Sequence, residues 1–177
     1  MHAEAIPAGL LGDLIKRPPE FAFEHNDCTV RAYAIASGLP YAEAHSAMRS
    51  AGRKDRKMFT FDKISDVDAR IQSRSIFRDG SQTPGKRYTV AQWLKNHPIG
   101  RYVIRISGHV IPVIDGIAYD LSPVTGAPYR LKAKSRVRAM WEFVDRPNQP
   151  IATATAQPGP TVKIEFPGLW IYTLEAK

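Results

Sequence analysis

The hydrophobic rhythm of the chain changes near residue 100. Before that point apolar residues recur at helical spacing; beyond it they tend to alternate. Leu10, Leu11, Leu14 and Ile15 form a short helical patch that Pro18 and Pro19 stop. From Asn26 or Asp27 the pattern predicts a helix to Ser37, with Gly38 as its stop and Pro40 beyond. A second helix follows, with Tyr41, Ala44, Ala47 and Met48 on one stripe and Gly52 at its end. Residues 59–72, FTFDKISDVDARIQ, read as a third helix, and TVAQWLKNHP as a short helix capped by Thr89 and ended at Pro98.

The later half reads as strands. GRYVIRISG, HVIPVI, IAYDLS and RVRAMWEFV are rich in β-branched and aromatic residues, and Asp115-Gly116 between two of them is a hairpin signal. The predicted fold class is α+β: N-terminal helices packed on a C-terminal antiparallel sheet. The expected organisation is one domain over residues 1–145 and a proline-rich connector over 146–160. A last strand over 161–177 docks on the same domain.

Composition narrows the picture modestly. The 177 residues are 44% hydrophobic and 24% charged, ordinary values for a globular protein with a real core. A single cysteine excludes an intrachain disulfide framework and a cysteine-based zinc site. No run is long and apolar enough for a membrane span, and the N-terminus lacks a basic leader, so a cytoplasmic location is expected. The net charge of +8 favours acidic partners without saying anything about the fold.

Two places concentrate that charge. In RLKAKSRVR, residues 130–138, strict alternation puts Arg130, Lys132, Lys134, Arg136 and Arg138 on one face of an expected strand, about 6.6 Å apart. With Arg53, Lys54, Arg56 and Lys57 they form a candidate contact surface for nucleic acid or an acidic protein. The alternative is a solvated edge strand whose cations deter aggregation. No nucleic-acid-binding motif accompanies the charges.

The chemistry converges on EHNDCTVRAYAIASG, residues 24–38, and SGHVIPVIDGIAYDLSP, residues 107–123. The first sets Cys28 in the opening turn of a helix, where free backbone N–H groups and the helix dipole favour a thiolate. A buried structural cysteine would occupy the same position equally well. The second supplies a partner. A two-residue Asp115-Gly116 turn pairs Ile114 with Ile117, which makes His109 and Asp120 diagonal neighbours on one face. Pro112 opposite Tyr119 cannot donate to the ladder, and a one-residue slip would send Asp120 to the other face. A base oriented by an acid, with a thiol elsewhere in the fold, is the arrangement of an activated nucleophile.

This order, a cysteine at a helix start, Gly-His leading a strand and an acid one strand later, resembles the papain-like cysteine peptidase superfamily. The likeness is to its small bacterial and phage members and covers residues 24–38 and 107–123. It implies Cys28 as nucleophile, His109 as base, Asp120 as orienting acid, and hydrolysis of an amide, peptide or isopeptide bond in a protein or peptide substrate. Such enzymes usually carry a glutamine shortly before the cysteine, and none precedes Cys28 here; Asn26 is the nearest amide for an oxyanion role. The alternative function is a basic, non-catalytic binding protein of the same fold. His25, His45 and His97 read as surface or capping residues, no histidine spacing suits a metal, and neither metal nor cofactor is expected.

Overall fold

The computed structural model describes residues 17–77, 87–122 and 132–144. The N-terminal apolar patch, Arg130, the connector over 146–160 and the strand expected over 161–177 lie outside the described residues. After a 3₁₀ turn at Pro19–Phe21 come helices α1 (Cys28–Ser37) and α2 (Tyr41–Ser50), a 3₁₀ turn at Phe61–Asp66 and strand β1 (Ile71–Arg74). Helix α3 (Val90–Asn96) precedes β2 (Arg101–Ile106), β3 (His109–Ile114), β4 (Ile117–Ala118) and β5 (Ala139–Phe143). The five strands form one sheet in the order β1-β5-β2-β3-β4, every pair antiparallel. The fold is α+β.

Both faces of the sheet are covered. Val103, Val110, Trp141 and Phe143 pack with α1, α2 and the Phe61–Asp66 turn. Ile104, Ile106, Ile111, Val113 and Met140 pack with Val90 and Trp93 of α3. The middle strands β2 and β3 are therefore buried on both sides and need no strict alternation. Every residue of α1 after Cys28 is buried, because the helix lies between the sheet and α2. Burying Val30 and Ile35 contributes roughly 1.5–3 kcal/mol each relative to exposure. Gly38 at φ 75° ends the helix in the left-handed conformation, as its residue type predicts. Helix α3 opens with a capping box: Gln92 N–H donates to the Thr89 side chain, and Thr89 N–H donates to Gln92 Oε1.

Two expectations fail. Residues 59–72 are not a helix: Phe61 and Ile64 are buried through a 3₁₀ turn, and Asp68 ends it by accepting from the Arg70 backbone N–H at 3.0 Å. Ile71 then pairs with Phe143, so the edge strand β1 comes from the segment expected to be helical. Nor is the basic stretch a strand over Lys132–Arg138. It forms a turn and a single bridge, Thr89 to Arg136, and the strand starts only at Ala139. Ser135 and Ala133 carbonyls accept from the Val90 and Ala91 N–H groups, so this backbone serves the start of α3 and not a ladder.

Candidate active site

The hairpin fixes the first pair. Asp115 and Gly116 both take positive φ, 47° and 76°, the backbone of a two-residue turn whose twist matches its strands. Ile114 pairs with Ile117 and Val113 with Ala118, the register that the turn predicts. Pro112 ends the ladder. Its carbonyl accepts from Tyr119 N–H at 2.9 Å, but it returns no donor, and β4 stops at Ala118. Being at the sheet edge, the missing bond disturbs nothing further. Asp120 then meets His109, Nε2 of the imidazole lying 2.7 Å from Asp120 Oδ1.

Cys28 comes to the same point from the other layer. Helix α1 packs on β3, so its first residue faces the start of that strand. Cys28 lines the same depression as His109 and Asp120. Asp120, then Cys28, pushes the imidazole up to about 9 against the opposing effect of burial. Cys28, His109 and Asp120 line one small depression with Arg31, Ile35 and Tyr119, about 200 Å³ counting its open mouth.

A buried brace sets the spacing between the two layers. Asp27 occupies the N-cap position of α1, yet its side chain does not cap the helix. Instead its carboxylate accepts from Arg17 Nη2 at 2.8 Å, Tyr41 Oη at 3.0 Å and Arg31 Nε at 3.2 Å. Arg31 then donates through Nη1 to the backbone carbonyl of Leu121, next to Asp120. The residue before the cysteine is thus tied through one guanidinium to the residue after the aspartate. No sequence signal pointed to Arg31, because an arginine inside a helix ordinarily faces water.

A second buried network holds the loop ahead of Cys28. Glu24 accepts from Arg53 Nη2 at 2.7 Å, His45 Nε2 at 2.8 Å and the Arg56 backbone N–H at 3.0 Å. Burial favours the protonated acid, but the bonds from Arg53, His45 and Arg56 overcome it and hold Glu24 down at about 2. His45 and Arg53 are therefore interior residues, which corrects both readings. His45 follows Tyr41 by four and precedes Met48 by three, so it lies on the apolar stripe of α2. Glu24, His45 and Asp55 bring their ligand atoms within 4.8 Å of one another. The Arg53 guanidinium sits on Glu24 at that point and repels a cation.

The remaining expected residues stand apart. Asn26 is exposed, and its amide donates to the Arg56 carbonyl at 3.4 Å, so the geometry supplies no oxyanion role for its side chain. Lys132, Lys134, Arg136 and Arg138 are all exposed and Val137 between them is buried. The inward–outward alternation survives without the strand, and Arg136 donates to the Arg87 carbonyl at 2.8 Å. His25 is exposed; His97 ends α3, stacked on Trp93 at 4.1 Å. Among the described residues no helix is long and apolar enough to cross a membrane. No protein-family model, curated protein or solved structure matches the chain.

Proposed function

We propose that the protein is a cysteine hydrolase of papain-like type, cleaving an amide or peptide bond through Cys28, His109 and Asp120. The observation that carries this reading is the His109–Asp120 pair, 2.7 Å apart, lining one depression with the thiol of Cys28. The imidazolium beside the sulfur is the natural electrostatic partner of a thiolate.

In this scheme Cys28 Sγ attacks the carbonyl carbon, and the C=O electron pair moves onto oxygen. The Cys28 backbone N–H, at the uncapped start of α1, is the available donor to that oxyanion. Collapse breaks the C–N bond, and His109 gives its proton to the departing amine. The neutral imidazole then takes a proton from water, whose oxygen attacks the thioester. A carboxylic acid leaves and the thiolate–imidazolium pair is restored. Asp120 keeps the ring in one orientation throughout.

The test is the rate of Cys28 alkylation by iodoacetamide against pH, in the wild type and in His109→Ala. The expected wild-type rate is already on its plateau below neutral pH, and at pH 6 the variant is slower by about a hundredfold. Superimposable profiles would make Cys28 a structural thiol and end the hydrolase reading.

A further inference from the structure

Arg31 is the one charged residue of α1, and it is only 9% exposed. A guanidinium keeps its charge at any ordinary pH, so burying it calls for anions and acceptors to match. The match is incomplete. Asp27 is the carboxylate that pairs with Arg31, at 3.2 Å, and it also serves Arg17 at 2.8 Å. Two permanent cations share one anion, which leaves the brace with one positive charge in excess. Arg31 spends Nε on Asp27 and Nη1 on the Leu121 carbonyl. Its Nη2 makes no hydrogen bond among the described residues.

The place of this cation is the second observation. Arg31 lines the depression that holds Cys28, His109 and Asp120. Asp120, the other carboxylate there, is bonded to His109 at 2.7 Å and forms no ion pair with Arg31. Ala32, Ile35, Val110 and Pro112 make the rest of the wall apolar. An unbalanced cation attracts an anion more strongly in such a confined, weakly screening space than on an open surface. The space is about 200 Å³ with its mouth, which suits a short group.

We propose that Arg31 makes this wall of the depression a carboxylate subsite, so that the bond attacked by Cys28 lies within a residue of an acidic group of the substrate. The assignment rests on Cys28 being the nucleophile. Nη2 donates to the carboxylate, and the incoming charge balances the brace. An aspartate side chain and a free chain end present the same planar group at the same short reach.

Iodoacetate and iodoacetamide test the subsite, because both are small enough for the depression and they differ by one charge. With each, the thiolate displaces iodide and an S–CH2 bond forms, so the ratio of the two rates cancels the thiolate fraction. Relative to free cysteine, the iodoacetate-to-iodoacetamide ratio at Cys28 is expected to be about fivefold higher, the advantage of one charge pair. Arg31→Met returns it to the free-cysteine value. His109→Ala removes the other group of the depression able to carry positive charge, and there the raised ratio persists. Two further pairs of reagents separate the sources of the carboxylate. Chloroacetyl-glycine against its amide presents a chain end; the chloromethyl ketone of acetyl-aspartate against that of acetyl-asparagine presents a side chain. The pair whose charged member reacts faster names the source, and no preference in either pair overturns the subsite. A wild-type ratio equal to that of free cysteine, a raised ratio that survives Arg31→Met, or one that vanishes in His109→Ala also overturns it and leaves the hydrolase reading standing. A thiol inert to both iodo reagents removes the nucleophile and the subsite together.

Discussion

Two histidine–carboxylate pairs among the described residues have almost the same length. His45 Nε2 lies 2.8 Å from Glu24, and His109 Nε2 lies 2.7 Å from Asp120. The surroundings differ. The side chains of the first pair are 2% and 0% exposed, those of the second 22% and 11%. The first has Arg53 as its third member, a permanent cation that satisfies both oxygens of the acid. The third member of the second is a thiol, in a depression that opens to solvent. Pair geometry alone does not separate a structural ion network from a candidate catalytic one. The third partner and the route to solvent do.

Removing the third partner of the sealed network should have the largest effect. Arg53→Met leaves the Glu24 carboxylate buried with its main counter-charge gone, at a cost of about 3–5 kcal/mol. Urea unfolding measures it. A loss below 1 kcal/mol would mean that water reaches Glu24 and that the two networks are less different than their burial indicates.

The brace between the layers comes next. Arg31→Met removes the bonds to Asp27 and to the Leu121 carbonyl, while Arg17 and Tyr41 still hold Asp27. The expected loss is about 1.5–3 kcal/mol for charged hydrogen bonds. A merely structural role would leave the pH profile of Cys28 alkylation unchanged. The brace predicts a profile shifted toward that of His109→Ala, because Cys28 and the His109–Asp120 pair are no longer held together.

The pH response of stability separates the two pairs by sign. His109 is raised from 6.5 to about 9, so the stability it contributes is complete below pH 6.5 and is lost as pH rises through about 9. Glu24 is lowered from 4.5 to about 2, so its contribution is complete above pH 4.5 and is lost as pH falls through about 2. Unfolding midpoints against pH should lose their alkaline arm in Asp120→Asn and their acid arm in Glu24→Gln. NMR titration of the His109 ring should move from about 9 toward 6.5 in Asp120→Asn. An alkaline arm that survives this change would detach His109 from Asp120.

Local rules made the open site partly legible in the sequence. Cys28 at a helix start, Gly38 at its end and the Asp115-Gly116 turn each follow from backbone preferences spanning a few residues. The turn sets the pairing of Ile114 with Ile117 and of Val113 with Ala118, and Asp120 reaches His109 two residues beyond the last paired one. The sealed network was not legible. His45 was read as a surface or capping residue although it falls on a buried stripe, and Arg53 was hidden in a run of exposed cations. Asn26 offered an amide near the cysteine, but its positive φ turns that amide to Arg56.

The sequence by itself determined the limits of α1 and the hairpin that joins β3 to β4, since these depend on neighbours close along the chain. The segment at 59–72 shows the limit: it was read as a helix, but β5 decided that Ile71 would join a strand. Only the tertiary structure decided which charges lie inside, because a charge is buried only where partners distant in sequence arrive together. Glu24, His45 and Arg53 come from three separate segments, as do Asp27, Arg31 and Leu121 with Arg17. That long-range compensation of charge holds Cys28 against His109, and it leaves no trace in any one stretch of the chain.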